Sequence, residues 1–131
     1  IQVENTGFDF RELKKIRDQL NISHPNIESA RGYDHNYVFE NLEYKTMAIL
    51  KGEKLMLEIS SDLPGMHVYS GNFLDGECCG KQGNYYGDKN GICFECQYYP
   101  NAINYDRFIK PILRKGEIQT HRICYRLSEK K

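Results

Sequence analysis

No stretch of this chain approaches the ~18 consecutive apolar residues that a membrane-spanning helix needs; the longest apolar run is Met47 to Leu50. No membrane span is expected. The sequence also lacks an excess of either charge, with 18 Lys plus Arg against 18 Asp plus Glu, so no overall field draws it to nucleic acid or to an anionic membrane surface. Neither partner is expected. Repeats and low-complexity tracts are absent from the 131 residues, a length that suits one domain rather than several. The opening Ile1-Gln2-Val3-Glu4-Asn5 has neither a Met nor a basic-then-apolar leader, and reads as a cut end rather than a signal peptide. Cysteine is sparse and odd in number: Cys78, Cys79, Cys93, Cys96 and Cys124. In a domain large enough to fold without staples, that pattern points to reduced thiols and a cytoplasmic setting.

What is present is enough apolar material for a core, 40% of residues with ten Tyr and six Phe. Near the start, Phe10, Leu13, Ile16 and Leu20 share one face of a helical wheel, with Asp9 as a capping residue and Glu12 three positions on. One short helix over 9–20 follows. Residues 21–32 are rich in Asn, Ser and Pro and read as a loop. From Asp34 the signals are those of strands: 35–40, then 44–50 and 54–60 flanking Lys51-Gly52-Glu53 as a hairpin would, then 66–70, 92–99 and 119–127. Leu55, Leu57 and Ile59 alternate with Met56, Glu58 and Ser60, the period of a half-buried strand. Between 71 and 91 lie six glycines, marking sharply bent backbone. The fold class expected is all-β and mostly antiparallel, with one minor helix.

Three side chains and one motif invite chemistry. Cys93-Phe94-Glu95-Cys96 has the CxxC spacing of a zinc or thiol-redox site, but on a strand its two thiols point to opposite faces, and Cys78-Cys79 is adjacent rather than spaced for chelation. Packing cysteines are the plainer reading, and no metal is expected. Glu95 is a carboxylate in mid-strand, either part of a solvated face or a general base held on a rigid element with its pKa set by partial burial. Asp34 is either a turn residue bonding its own backbone or a functional carboxylate. His67, three residues after Pro64, is either a packed imidazole or a ligand-facing one. Composition leaves each of these pairs open.

The words around the residues are more specific. Gly32-Tyr33-Asp34-His35-Asn36 resembles the G-(Y/F)-D-H-N motif of the aldose 1-epimerases, or galactose mutarotases. The segment from Pro64 to Gly76 is similar to their P-G-x-Q-x-Y-T-G-N-F-L-D-G, and Ile92 to Asn104 to x-C-L-E-T-Q-x-x-P-D-A-x-N. Residues 112–117 and 125–127 match the family's closing strands. The matches are collinear and spread over most of the chain.

The resemblance implies an antiparallel β-sandwich of the galactose mutarotase-like, supersandwich type, of which residues 1–131 form the C-terminal part of a single domain. It implies an enzyme that interconverts the α and β anomers of free hexoses such as galactose or glucose by acid-base ring opening, without cofactor. Glu95 falls on the family's catalytic base, Asp34 on a carboxylate that grips sugar hydroxyls, and His67 on a sugar-contacting position where the family has Gln. The family's general-acid His precedes the matched region, and neither His24 nor His35 stands in its motif. A complementing N-terminal segment or chain, or a homo-oligomer, is therefore expected to cover open strand edges and an apolar face. A noncatalytic sugar-binding or regulatory module on the same fold is the alternative.

Overall fold

The computed structural model describes residues 1–40, 42–77 and 79–130. Their order is α1 (Ile16–Leu20), α2 (Pro25–Ser29), β1 (Asp34–Val38), β2 (Lys45–Lys51), β3 (Leu55–Ser61), β4 (Gly65–Tyr69), β5 (Cys93–Gln97) and β6 (Ile123–Glu129), with short 3-10 turns at Lys81–Gly83 and Ala102–Asn104. The strands make two three-stranded sheets, β1-β4-β5 and β2-β3-β6. The fold is all-β. No helix among the described residues is long and apolar enough to cross a membrane.

The expected helix over 9–20 is largely replaced. Only Ile16–Leu20 is helical, because the Asp9 carboxylate is taken by Arg11 (Nε at 2.9 Å, backbone N at 3.3 Å) and by Lys14 Nζ at 3.2 Å, and so caps no helix. Lys15 is then extended. A second turn of helix stands in the expected loop: Pro25 occupies its first position, where its missing N–H costs nothing, and His24 Nδ1 accepts from Asn26 N at 3.2 Å.

The chain divides into two compact units, residues Ile1–His35 with Val68–Cys93, and Asn36–His67 with Phe94–Lys131. In the first, the fully buried Tyr33 donates its hydroxyl to Gly7 O at 2.6 Å and its ring meets Phe8 and Phe10 edge-on, with centroids at 5.9 and 5.6 Å. Buried Asn72 ties down the approach to β1. Its Nδ2 donates to Ala30 O (2.8 Å) and Tyr33 O (2.9 Å), while Ser70 Oγ donates to its Oδ1. This clamp requires Gly32, which has φ +149° and would bring a Cβ within 2.6 Å of Ser70 Oγ.

In the second unit β2 pairs antiparallel with β3, and β3 with β6, so that Leu50 faces Leu57, Ala48 and Tyr125 flank Ile59, and Leu57 faces Leu127. A register shift between Thr46 and Ala48 adds a bulge. Ile59, Met47, Leu63, Met66 and Ala102 are buried here, whereas β6, at the sheet's edge, leaves Ile123, Tyr125 and Leu127 exposed.

Candidate functional site

Asp34, His67 and Glu95 lie on β1, β4 and β5, three neighbouring strands of one sheet. β1 and β4 are antiparallel: Ser70 N donates to Tyr33 O at 3.0 Å and Phe39 N to Pro64 O at 2.9 Å, so partners on β4 fall as residues on β1 rise. That register sets Asn36 opposite His67.

Gly65 shows which side chains share a face. A Cβ there would meet Asn36 Nδ2 at 2.8 Å and Tyr99 Cδ1 at 3.1 Å. Gly65 and His67 therefore present the same side of the sheet as Asn36, and the Tyr99 ring, from just beyond the end of β5, also lies against Gly65. Asp34 has the parity of Asn36 on β1. His67 is half-buried; Asp34 and Glu95 are exposed. The partial burial expected of a base at position 95 is not found in this structure, and its carboxylate faces solvent as a strand-face residue would.

The surroundings are aromatic. Tyr99 packs edge-on against Phe108 at 5.0 Å, Tyr105 lies 5.5 Å beyond, and burial pushes the Tyr99 hydroxyl up in pKa. Tyr125 on β6 donates to Phe94 O at 2.8 Å, and its own pKa is raised first by burial and then by the nearby Cys96 and Glu95. Asn36 did not stand out by residue type; the signal that finds it is alternation along β1 from Asp34. Asp34 N donates to His35 Nδ1 at 2.9 Å, and that imidazole packs on Phe8 at 4.7 Å, so His35 serves local packing.

In the CxxC segment Cys93 is exposed and Cys96 half-buried, both as free thiols, and burial raises the Cys96 pKa against the lowering hydrogen bond of Ser61. Cys78 lies outside the described residues. Among the described residues no three His, Cys, Asp or Glu side chains gather as a metal would require. A separate polar chain runs from Asp62 through His121 (Nδ1 at 3.5 Å) to the Tyr98 hydroxyl (Nε2 at 3.4 Å). An open groove in the first unit, lined by Ile16, Leu20, Ile27, Arg17, Arg31 and Lys89, contains none of the three residues.

Comparison with known proteins bears on this arrangement. The sequence profile of the family described as aldose 1-epimerase matches residues 1–126. A galactose mutarotase of Mus musculus is 34% identical over 129 residues, covering 96% of this chain and 36% of the relative. An aldose 1-epimerase of Escherichia coli is 31% identical over 121 residues, covering 88% and 34%. The crystal structure of a GalM/aldose epimerase homologue from C. elegans superposes with a TM-score of 0.73 at 28% identity, over 97% of this chain and 38% of that one. The chain thus spans about a third of the length of the curated relatives it matches.

Proposed function

From the premise that this chain belongs to the aldose 1-epimerase family, we propose that residues 1–131 are the C-terminal part of one epimerase domain and carry the base-bearing side of a hexose-anomerising site. Glu95 takes the proton of the C1 hydroxyl as the bond between C1 and the ring oxygen breaks and the C1 carbonyl forms. An acid protonates the ring oxygen, the C1–C2 bond rotates, and reclosure returns both protons. Galactose or glucose is the substrate class, and the reaction needs no redox cofactor because no electrons leave the sugar; acid-base groups alone suffice for the proposed ring opening. The acid is a His on a complementing N-terminal segment or chain, which would also cover the exposed carboxylate. The proposed setting is cytoplasmic.

The observation that carries this reading is the placement of His67 and Glu95 on adjacent strands, β4 and β5, of one sheet. Asp34 accepts from sugar hydroxyls, and His67 makes one further hydrogen bond where the family pattern has Gln. Tyr99 offers an aromatic ring on which the sugar's C–H groups pack.

Saturation-transfer NMR on galactose tests it. The chain should exchange α and β anomers weakly above the spontaneous rate, because one of the two proton transfers is unassisted. Glu95→Gln should return the rate to background, within the roughly 10²-fold or greater effect of a positioned base. Unchanged exchange in that variant removes Glu95 from the role. Saturable galactose binding without exchange favours a noncatalytic sugar-binding module, to which the exposure of Glu95 also points.

A further inference from the structure

Asn90-Gly91 is the one Asn-Gly pair in the chain. Both residues are exposed, in the turn that leads into β5, and a Cβ at Gly91 would meet nothing within 4 Å. Two hydrogen bonds shape the turn: Asn90 N donates to Gly87 O at 3.0 Å, and Gly87 N donates to Asn90 Oδ1 at 3.1 Å. The second draws electron density from the side-chain carbonyl and stabilises negative charge arising on its oxygen. Gly91 N, by contrast, donates to no described residue. A polarised carboxamide thus adjoins an unengaged amide nitrogen. The pair Asp75-Gly76 differs in that respect: Asp75 Oδ1 accepts from Glu77 N at 2.9 Å, but Gly76 N donates to Tyr86 O at 3.1 Å. Its nitrogen is occupied.

We propose that Asn90-Gly91 is a self-modification site, at which the Asn90 amide closes to a cyclic imide and opens to aspartate and isoaspartate with water as the only co-reactant. Gly91 N loses its proton to solvent and attacks Asn90 Cγ; the Cγ–Nδ2 bond breaks, and ammonia leaves carrying a proton back from solvent. Water then opens the imide at either carbonyl, giving aspartate or, where the main chain continues through Cβ and Cγ, isoaspartate. One amide and one water become one carboxylic acid and one ammonia, with no electrons gained or lost. Isoaspartate at position 90 adds a methylene to the main chain just ahead of β5 and a carboxylate next to Lys89, whose ammonium otherwise pairs with Asp88 at 2.8 Å. This chemistry is independent of the sugar site.

The test sets two Asn-Gly pairs in one molecule. The unsubstituted chain and Asp75→Asn are held at pH 8, folded and in urea, sampled over days, and digested with pepsin at acid pH. Mass spectrometry then follows the change from amide to acid, and electron-transfer fragmentation assigns isoaspartate. In folded Asp75→Asn, Asn90 should convert roughly fivefold to tenfold faster than position 75, where the Gly76 N–H must first be freed. In urea the two positions should convert equally. Gly91→Ala adds its Cβ in open space, and should slow Asn90 roughly tenfold by crowding the attacking nitrogen. Equal rates at positions 75 and 90 in the folded variant overturn the inference, and so does an unslowed Asn90 in Gly91→Ala. If Asp75→Asn does not fold, the unsubstituted chain decides: Asn90 should convert within about fivefold of its rate in urea, and a slower folded rate means that the turn protects it.

Discussion

Tyr33 shows how one side chain couples local sequence to stability. Its phenol is the largest fully buried group, satisfied by one acceptor, Gly7 O, and desolvation pushes its pKa up to about 12 from an ordinary value of 10.0. A raised folded-state pKa means that the neutral phenol stabilises the fold fully below pH 10 and that this contribution drains away as pH climbs toward about 12. Urea titrations between pH 9 and 12 should therefore show stability falling in that window for the unsubstituted chain. Tyr33→Phe should cost about 1 kcal/mol at pH 7, the net worth of one hydrogen bond, and should flatten the alkaline fall. A slope as steep as before would place the titrating group elsewhere. Buried Asn72, bonded at both ends of its amide, and Gly32, pressed against it, are parts of the same packed corner. Their place in the Gly32-to-Asn36 and Gly71-to-Gly76 motifs means that some letters of a family signature record packing rather than substrate contact.

At the scale of elements, strands were legible and helices were not. Period-2 alternation and the Gly52 turn located all six strands within a residue or two, apart from β6, which begins at Ile123 rather than Gln119. The reason for the late start is visible in the side chains: beyond one long backbone bond, Asp62 N to Arg122 O at 3.4 Å, residues 119–122 are held by side chains. Gln119 bonds the Tyr98 hydroxyl, His121 bridges Tyr98 and Asp62, and Arg122 N donates to Asp62 Oδ1 at 3.0 Å. The helix expected over 9–20 is shortened to Ile16–Leu20 because its cap residue found two cations, a competition that apolar spacing does not register. Motif wording singled out Asp34, His67 and Glu95 as candidates, whereas only the paired backbone shows Asn36 opposite His67. Asp62→Ala should release the start of β6 without unfolding the sheet. Hydrogen exchange at amides 122–124 should accelerate by about fivefold to tenfold, the equivalent of ~1–1.4 kcal/mol, while Leu57 and Ile59 stay protected. Uniform acceleration across β3 would mean that Asp62 supports the whole sheet.

For the whole molecule, the decisive balance is between a modest core and an apolar edge. Ile123, Tyr125 and Leu127 alternate along β6 at 47%, 53% and 64% exposure, on the same face as the buried Ile59 that Tyr125 opposes. An edge strand with unpaired backbone and a bare apolar row recruits another strand, and natural sheets usually blunt such an edge with charge. Arg126 and Glu129 lie on β6 but do not interrupt that row, since Arg126 projects from the other face and Glu129 stands past its end. Equal numbers of acidic and basic residues and a pI near 7.1 also remove long-range repulsion at neutral pH. The isolated chain should therefore self-associate with rising concentration, most strongly near pH 7. Leu127→Lys places a charge at the end of the exposed row at little cost to the fold, because the residue it replaces is mostly in water. Sedimentation velocity across a hundredfold range of concentration should show the unsubstituted chain shifting to larger species and the variant remaining monomeric. An identical distribution for both would mean that β6 is not the associating edge, and would also weaken the case that this strand awaits the rest of an epimerase domain.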